Sequence, residues 1–587
     1  MLYTDGSNDY AEGLGTALLA LLFFMLLFCS ITFIIMQPIN FVQFPLSLLC
    51  SLAWVYMLVA RGRVFLKIVL TTLGIIAGSI LFCSFVYDTG YDSYSYHLNI
   101  VANMVHGWNP FFEDPPDNSL WARHYAKGME MMQAVVFGFT RNIQSVRCVN
   151  FILACAAASV AWYTLKRVFR KISYTWRWCI VCLILANPVV LSQLTTAYND
   201  YALWLEIVIL AASFLLMYYD DLDTTAYIWM FFIFSIGITT KFTHFFYLGI
   251  LCIFFAVWCI LTRQYFIVKA ASSFISVSVA LGIVIMANNP YLTNFVDYGN
   301  PFYPLLGGYV DIMSQNTPEM YIDGGRITNF AKSLLSVGNE EWGSLTGGFS
   351  LNDFVQTYSY DARVNGFGIL MAPALIASFV LMLLNKASKQ WWIVYIFCLL
   401  MAFCFDQAWW ARYVPFIWAL IIIPILYYSN SCFWEYEVKR KLSAKRIIAS
   451  LVVVIVISNA LMAIAISLTA RASYTSYLNY IAAAQKASGK KIRVANFNSS
   501  FRETFDDLHI NYENYPSDSL LKSPDKLYTI CNFIKSPVIA ELPPEDFPAL
   551  YDAPKGIWGK VCDFSKRRYH PVIPSESKMD YLSDKPL

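Results

Sequence analysis

Charged residues are scarce in this chain, which excludes an ordinary water-soluble globular protein. Asp, Glu, Lys and Arg make up only 14% of the 587 residues, whereas 58% are hydrophobic; an average soluble domain carries about 25% charged residues. A large excess of one charge is also missing, since 42 basic residues nearly balance 39 acidic ones. The net charge of +3 therefore gives no reason to expect nucleic acid as a partner.

Apolar sequence, by contrast, is abundant. Apolar runs recur from residue 16 to about residue 468, and they approach the roughly 20 residues that a helix needs to cross a bilayer core. The first run is therefore one helix of many and not a secretory signal. We predict a polytopic α-helical membrane protein of about thirteen transmembrane helices, near residues 16–36, 41–60, 65–87, 146–165, 178–197, 201–219, 226–241, 245–262, 267–288, 366–385, 391–405, 413–429 and 447–468.

The distribution of basic residues predicts the orientation of these helices. With a cytoplasmic N-terminus, the inward loops collect Arg61, Arg63, Lys67, Lys166, Arg167, Arg170, Lys171, Arg177, Arg263, Lys269, Lys386, Lys389, Lys439, Arg440, Lys441, Lys445 and Arg446. Basic residues concentrate on the cytoplasmic side of membrane proteins. One inward loop carries Asp220, Asp221 and Asp223 but no Lys or Arg. Acidic residues, however, influence orientation little. We expect a multi-pass protein of the cell (inner or cytoplasmic) membrane, with outer loops at 88–145 and 289–365.

The C-terminal tail differs in character from the rest. After a transmembrane domain at residues 1–470, residues 471–587 are rich in charge, and "KKIRVANF", "HINYENY" and "LYTICNF" alternate like short strands. We predict a small extracytoplasmic α/β domain. Of the 14 cysteines, only Cys531 and Cys562 lie in polar sequence; outside the cytoplasm they either form a disulfide or remain free.

Polar residues concentrate on the predicted outer face. The loop at 88–145 holds "YDTGYDSYSYHLNIVANMVHGWNP" and "WARHYAKGMEMM", and from Tyr91 onward it predicts an amphipathic helix along the membrane surface. Its ionisable side chains include Asp88, Asp92, His97, His106, His124, Lys127 and Glu130, and the same face receives Asp200, Lys241, His244, Asp406 and Arg412. Any one of them could snorkel to the interface, but their convergence favours a site.

Transfer of a sugar from a lipid phosphate to a hydroxyl would use such a set. A base must take the acceptor proton, and cations must hold the departing phosphate as its charge grows. A carboxylate suits the first role, and Lys241 and Arg412 suit the second, since the forked donors of arginine grip phosphate oxygens. Because phosphate is already a good leaving group, a divalent metal is possible but not implied, and no other cofactor is predicted.

Several of these motifs resemble a known family. "YDSYSYHL", "HYAKGMEMM", "TAYND", "GITTKFT", "GNPFYPLLGG" and "ARYVP" occur in that order between about residues 88 and 415. They resemble the landmarks of the GT-C membrane glycosyltransferases, in particular bacterial members similar to the aminoarabinose and protein O-mannosyl transferases. Two extra helices precede the catalytic loop, whereas simpler members place it after the first helix, so the packing of the N-terminal hairpin stays open.

The resemblance implies a GT-C-like fold and an inverting glycosyltransferase. The donor would be a polyprenyl-phosphate sugar, and the acceptor a glycan, lipid or protein above the bilayer. Asp92 matches the catalytic-base position, with Asp88 as an alternative. The substrate-binding candidates are Asp88, Tyr96, His97, His124, Lys127, Glu130, Asp200, Lys241, His244, Arg412 and Tyr413. For some of them a structural role is the alternative: His97 as a hydrogen-bonded loop histidine, and Glu130 and Asp200 in an ion pair or a helix cap.

Other functional interpretations of the sequence stay open. A glycan polymerase or ligase with a diphosphate-linked donor would share this electrostatics, and a lipid-glycan transporter or flippase would need repeated halves or broken helices around a midplane site. A structural subunit would need no site at all. The segment 289–365 contains a short amphipathic helix in "GGRITNFAKSLLSV" and could cover the site or merely connect two spans. The pairs Trp391–Trp392 and Trp409–Trp410 are interpreted as interface anchors and not as sugar platforms.

Overall fold

The computed structural model is predominantly α-helical. It describes residues 9–117, 119–220, 223–305, 317, 319–335, 358, 366–431, 443–495, 498–514, 527–531 and 538–541. The helices are α1 (Tyr10–Ile34), α2 (Gln43–Leu58), α3 (Gly62–Phe85), α4 (Leu98–Val105), α5 (Leu120–His124), α6 (Gly128–Thr140), α7 (Cys148–Arg167), α8 (Tyr174–Leu185), α9 (Pro188–Gln193), α10 (Asp200–Tyr219), α11 (Thr224–Thr240), α12 (Phe242–Leu261), α13 (Tyr265–Leu281), α14 (Thr293–Tyr298), α15 (Glu319–Ile322), α16 (Arg326–Leu334), α17 (Met371–Leu384), α18 (Lys389–Ala402), α19 (Ala419–Ser431), α20 (Ala444–Ser488) and α21 (Ser499–Asp507). The strands are β1 (Ile492–Ala495), β2 (Tyr512–Asn514), β3 (Leu527–Cys531) and β4 (Val538–Glu541).

The long apolar helices agree with the prediction of a helical membrane protein. Among the described residues, seven helices are long and apolar enough to cross a bilayer: Tyr10–Ile34, Gly62–Phe85, Ile143–Arg167, Asp200–Tyr219, Phe242–Leu261, Tyr265–Met286 and Ala444–Ser488. Shorter apolar helices of 10–17 residues lie at Gln43–Leu58, Tyr174–Leu185, Thr224–Thr240, Met371–Leu384, Lys389–Ala402 and Pro415–Ser431. At 1.5 Å per residue these reach only about 15–26 Å, less than the bilayer core of about 30 Å. The total of thirteen spans therefore stays a prediction.

The span predicted at 178–197 is interrupted in the structure. Helix α8 ends at Leu185 and α9 begins at Pro188, because a proline lacks the N–H that an interior helical residue donates. The side chain of Asn187 caps α9 by accepting the Val189 N–H at 3.0 Å, and its own amide donates to the carbonyl of Pro415 at 2.9 Å. This break brings the segment before α10 against the segment that carries Arg412.

The N-terminal hairpin packs directly on the helical core. Helix α1 is almost wholly buried, and the Ser51 hydroxyl of α2 donates to the Ala17 carbonyl of α1 at 2.5 Å. The fully buried Arg147 then joins the end of α3 to the polar loops. Its guanidinium donates to the carbonyls of Cys83, Val86 and Thr195, three helix-end and loop acceptors in reach of one side chain. Arg147 thereby fixes where the chain leaves α3 and enters the loop that begins at Val86.

The last long helix, α20, continues past residue 470, the predicted boundary between the transmembrane and C-terminal domains. Helix α20 runs for 45 residues to Ser488, because neither Gly nor Pro interrupts it before Gly489, which adopts the positive φ of +63° typical of a helix stop. A four-stranded sheet follows in the order β2-β1-β4-β3, with β1 parallel to β2 and antiparallel to β4. Of the two polar cysteines, Cys531 ends β3 and Cys562 lies outside the described residues.

The predicted surface helix after Tyr91 also differs from the structure. A π-helical turn at Ser93–His97 leads into α4, and nearly every residue of α4 is buried. Helix α21 of the C-terminal part covers α4 from outside, and α6 packs beneath it. A helix therefore forms in this segment, but protein packs against it from α21 and from α6, and its place relative to the membrane stays a prediction.

Candidate functional site

Four charged side chains from separate parts of the chain form one cluster. The Arg412 guanidinium donates from Nη1 to Asp92 Oδ2 at 2.7 Å and lies 3.6 Å from Asp200 Oδ2. The Lys241 ammonium donates to the other carboxylate oxygen, Oδ1, of Asp200. The cluster holds two cations and two carboxylates, so its formal charges cancel. Its members are mostly buried, with side-chain exposures of 15% for Asp92, 13% for Lys241, 7% for Arg412 and 3% for Asp200.

Each member of the cluster lies where a helix begins or ends. Asp200 is the first residue of α10, and Lys241 occupies an extended residue between α11 and α12. Arg412 lies in a short 3-10 turn at Ala411–Tyr413, and Asp92 immediately precedes the π-helical turn. Helix ends leave backbone polar groups free and tolerate charged side chains. The folding of apolar helices side by side therefore gathers these residues at one end of the bundle.

Aromatic rings surround the two cations. The guanidinium carbon of Arg412 lies 4.4 Å from the ring centre of Trp410 and 5.6 Å from that of Tyr413, and Lys241 Nζ lies 5.1 Å from the Tyr413 ring. Such contacts stabilise a cation away from bulk water. Trp410 and Trp409 are each only 3% exposed and stack on one another with a 3° angle between their planes. Their interpretation as interface anchors was therefore wrong.

Tyr198 is a central site residue that the sequence analysis overlooked. Its hydroxyl accepts the backbone N–H of Asp92 at 3.1 Å, and the guanidinium of Arg412 lies 5.5 Å from its ring centre. A Cβ on Gly90 would come within 2.5 Å of the Tyr198 ring, so only glycine allows the loop to approach this closely. The signal was present in the sequence, since Tyr198 belongs to the "TAYND" motif two residues before Asp200.

Asp88 occupies a different environment from Asp92. It is fully buried, its Oδ1 accepts the Gly90 N–H at 2.8 Å, and its Oδ2 accepts the Ala197 N–H at 2.8 Å. Both carboxylate oxygens are therefore engaged by backbone amides. This geometry is that of a structural carboxylate that ties the turn before Asp92 to the segment before Asp200.

His97 and Glu130 form a buried pair beside the cluster. The Nδ1 of His97 lies 2.5 Å from Glu130 Oε1, and the His97 ring is 6.1 Å from the ring of Tyr198. The second oxygen of Glu130 has no hydrogen-bond partner among the described residues. Tyr96 stacks against Trp121 at 5.7 Å, and burial, reinforced by the nearby Asp92 carboxylate, raises the pKa of Tyr96 well above its usual value. Tyr96 therefore keeps its phenolic proton and can act only as a neutral donor or acceptor.

Two predicted residues, His124 and Lys127, have partners outside the charged cluster. The Nδ1 of His124 lies 2.8 Å from Asn294 Oδ1, and burial lowers the pKa of His124. Lys127 Nζ donates to the Tyr125 carbonyl at 2.7 Å and to Asn289 Oδ1 at 2.5 Å. His124, Asn289 and Asn294 line a cavity of 230 Å³ between the first outer loop and the start of the second. In the described contacts, neither His124 nor Lys127 touches the charged cluster.

Burial affects the protonation of Lys127 strongly. It lowers the pKa of Lys127 to about 7, although the Glu130 carboxylate acts in the opposite direction. His244 is likewise outside the cluster, because its Nδ1 bonds Glu206 Oε2 at 2.9 Å in the interior between α10 and α12. These placements assign His244 to a contact between helices and leave Lys127 beside the site.

The second outer segment is described only in part. Helix α16 forms where the amphipathic pattern predicted it, and Ser333 donates to the Trp409 carbonyl at 2.6 Å. Arg326 pairs with the exposed Asp406, which therefore lies outside the cluster. Residues 306–316, 336–357 and 359–365, on which most of the expected covering segment falls, lie outside the described residues. Within the described ranges, no group of three or more His, Cys, Asp or Glu side chains is arranged to hold a metal ion.

Comparison of the chain with protein-family models, with curated proteins and with solved structures finds no match. The geometry of the cluster therefore has to carry any functional conclusion by itself.

Proposed function

We propose that this chain is a membrane glycosyltransferase of the GT-C type, which transfers a sugar from a polyprenyl-phosphate donor to a glycan, lipid or protein acceptor. The transfer would invert the anomeric centre, with Asp92 as general base. The observation that carries the proposal is the cluster of Asp92, Asp200, Lys241 and Arg412. It combines one partly accessible carboxylate with two neighbouring cations, the set that this reaction requires.

The ion pairs suggest how donor binding would prepare the base. In the absence of donor, Arg412 donates a hydrogen bond to Asp92 and so occupies the carboxylate oxygen that would accept the proton. A donor phosphate would compete for the Arg412 guanidinium, whose forked donors fit phosphate oxygens. Asp92 would then be released to accept the acceptor's hydroxyl proton. The acceptor oxygen would attack the anomeric carbon as the bond to the phosphate oxygen breaks, and the phosphate would leave on Arg412 and Lys241.

Asp200 would keep the two cations together. It lies between Lys241 and Arg412, and it is nearly fully buried. Two unscreened cations would repel one another in an interior of low dielectric. With Asp200 present, they can stay adjacent before the phosphate arrives. Asp200 would thus hold Lys241 and Arg412 in position, while Asp92 takes the proton.

The membrane arrangement belongs to the same proposal. We infer thirteen spans, a cytoplasmic N-terminus, and a site and C-terminal domain on the non-cytoplasmic side. The seven long apolar helices support a membrane-spanning protein. The basic residues of the predicted inward loops support this orientation. A lipid-linked donor would reach the cluster from the bilayer, and a water-soluble or lipid acceptor would approach from outside.

The test is transfer from defined donors by the purified protein. A panel of polyprenyl-monophosphate sugars, each with labelled sugar, would be presented together with solubilised envelope lipids, glycans and proteins as acceptors. We expect transfer by the native chain and a loss of at least about a hundredfold in Asp92→Asn, the scale typical of a lost general base. Donor binding should persist in that variant. The matched control is Asp406→Asn, whose carboxylate pairs with Arg326 at the surface with 74% exposure.

Three outcomes would contradict the proposal. Near-native transfer by Asp92→Asn would remove Asp92 from the mechanism. Turnover of diphosphate-linked donors alone would favour a glycan polymerase or ligase. Movement of lipid-linked sugar across proteoliposomes, without any transfer, would favour a transporter.

A further inference from the structure

We propose that α21 of the C-terminal part positions the π-helical turn that presents Asp92 and His97, with Asn498, Phe501 and Thr504 as its positioning residues. The inference rests on the proposed function, since it assigns the C-terminal part a task in the same site. It goes beyond that function because α21 lies about 400 residues from Asp92 along the chain and belongs to the segment with no assigned role.

The turn itself is an unusual piece of backbone. At Ser93–His97 the helix widens, and the N–H of Leu98 donates to the carbonyl five residues back, at Ser93. Such π-helical turns are short, shift the register of a helix by one residue and occur often at functional sites. The shift determines which way Asp92 and His97 point relative to α4. A helix would relax toward the commoner α form unless neighbouring groups hold the wider turn.

Helix α21 supplies such groups at its N-terminus. The side-chain amide of Asn498 donates to the Tyr94 carbonyl within the turn at 2.9 Å, and the N–H of Ser500 donates to Asn99 Oδ1 at 2.9 Å. Asn99 in turn donates to the Tyr94 and Ser95 carbonyls, both at 3.1 Å. Two amide side chains therefore converge on the carbonyls of the turn, one from α4 and one from α21.

The middle of α21 packs against the same turn through an aromatic stack. The rings of Phe501 and Tyr94 lie 4.5 Å apart with a 19° angle between their planes, and both side chains are fully buried. A stacked aromatic pair stabilises the contact beyond the burial of its apolar area alone. Tyr94 is two residues from Asp92 and three from His97, so a displaced Tyr94 moves both.

The far end of α21 is linked to the backbone of Asp88 through Gln144. The amide of Gln144 donates to the Thr504 hydroxyl at 3.3 Å and to the Tyr94 hydroxyl at 3.2 Å, and its oxygen accepts the Asp88 N–H at 3.1 Å. Beside it, Asp507 Oδ2 accepts the Ile143 N–H at 3.1 Å. Helix α21 therefore holds both the turn and the Asp88 loop, the two anchors on either side of Asp92.

These contacts indicate positioning and not catalysis. In the described contacts, the partners of α21 in the loop and in α4 include Tyr94, Asn99, Asn103, His106, Ile143 and Gln144. The charged cluster is formed by other residues. Displacement of a reacting group by about 1 Å can cost about a hundredfold in rate. Loss of the α21 contacts should thus lower kcat and leave the donor KM little changed, because Arg412 and Lys241 stay in place.

Asn498→Asp is the most specific test of these contacts. The Asn498 oxygen also caps α21 by accepting the Phe501 N–H at 3.1 Å, and aspartate is an equally good cap. The substitution therefore keeps α21 folded but replaces the donor to Tyr94 by an acceptor. The control is Arg502→Ala, on the exposed face of the same helix. Phe501→Ala tests the stack separately.

Two readouts are needed on the full-length protein: amide hydrogen exchange of residues 93–105 without substrate, and kcat and KM with the monophosphate donor. In Asn498→Asp we expect exchange at least about tenfold faster in that segment and kcat about tenfold to a hundredfold lower, with KM within about twofold. Native exchange and native kcat in both Asn498→Asp and Phe501→Ala would overturn the inference. Equal losses in Arg502→Ala would overturn it as well.

The two proposals can fail separately. If the native chain transfers no sugar from any donor, the proposed function fails, and the exchange measurement alone then decides the positioning. Faster exchange at residues 93–105 in Asn498→Asp would still support it. Unchanged exchange would overturn it.

Discussion

The carboxylate of Asp92 lies 2.7 Å from the guanidinium of Arg412, although 320 residues separate them along the chain. Both side chains are largely withdrawn from solvent, with exposures of 15% and 7%. An ion pair of this kind at the surface would contribute little to the stability of the protein. Because this pair is partly buried, and because Asp200 lies within 3.6 Å of the same nitrogen, removal of either partner changes the charge that the other experiences.

Arg412→Lys should therefore impair the protein despite the preserved charge. Lysine lacks the planar fork that reaches Asp92 and Asp200 together, and it cannot stack on Trp410 as a guanidinium does. We expect kcat/KM for the donor to fall by about tenfold to a hundredfold, equivalent to about 1.4–2.7 kcal/mol. The control is Arg493→Lys, whose guanidinium pairs with Glu513 at an exposed site. Native kcat/KM in Arg412→Lys would show that charge alone suffices.

Much of this arrangement could be predicted from sequence, for a physical reason. Apolar runs determine where helices form, and charged residues at their ends must gather where the ends gather. Asp92, Asp200, Lys241 and Arg412 were accordingly expected at one face. The interruption at Pro188 was overlooked because hydropathy averages over one proline. Helix α20 crosses residue 470 because polarity changes there while helix propensity does not, and the domain boundary at 470 stays a prediction.

The partners of individual polar residues could not be predicted in this way. Asp88 and Asp92 are chemically identical in sequence, and only the fold brings the Ala197 N–H, 109 residues away, to Asp88. His244 was placed at the outer face from its position in the chain, but the side-by-side packing of α10 and α12 gives it Glu206 as partner. Such contacts depend on how helices are arranged around one another, which a single sequence does not reveal.

Asp88→Asn should lower stability more than it lowers catalysis. One oxygen of Asp88 would become an NH₂ group that faces the N–H of Gly90 or Ala197, so that two donors oppose each other in a buried place. The expected cost is about 1–3 kcal/mol, or more because a charged acceptor is lost. Thermal unfolding of the purified protein would measure it, against Asp114→Asn, whose carboxylate is 66% exposed. A stable but inactive Asp88→Asn would instead identify Asp88 as the base.

The stability of the protein should also depend on pH through Lys127. Burial lowers the pKa of Lys127 to about 7 from 10.5, so between these values the unfolded chain binds a proton that the folded chain does not. Its stabilising contribution is present above the unfolded pKa and is lost as pH falls toward 7. The melting temperature of the native chain, measured relative to Lys127→Met, should therefore rise between pH 7 and pH 9. Parallel curves of melting temperature against pH for the native chain and Lys127→Met would contradict this.

Asp507 should give the opposite dependence at the contact of α21 with the outer loop. Burial, reinforced by Glu503 and Asp506, raises the pKa of Asp507 to about 7, while its hydrogen bond from the Ile143 N–H acts against this. Since the folded pKa lies above the unfolded one, the stabilising contribution is complete below about pH 4 and is lost as pH rises through about 7. The melting temperature should therefore fall from pH 5 to pH 8.

The measurement compares this fall in the native chain and in Asp507→Asn, whose side-chain oxygen can still accept the Ile143 N–H but does not titrate. The ion pair of His106 with Glu503, at 2.6 Å, is present in both proteins, so its own pH dependence cancels in the difference. Asp114→Asn, whose 66% exposed carboxylate is not among the groups that act on Asp507, is the control and should follow the native curve. The melting temperature of Asp507→Asn could fall as far between pH 5 and pH 8 as that of the native chain. In that case the contact of α21 with the loop at Ile143 would not respond to Asp507 ionisation.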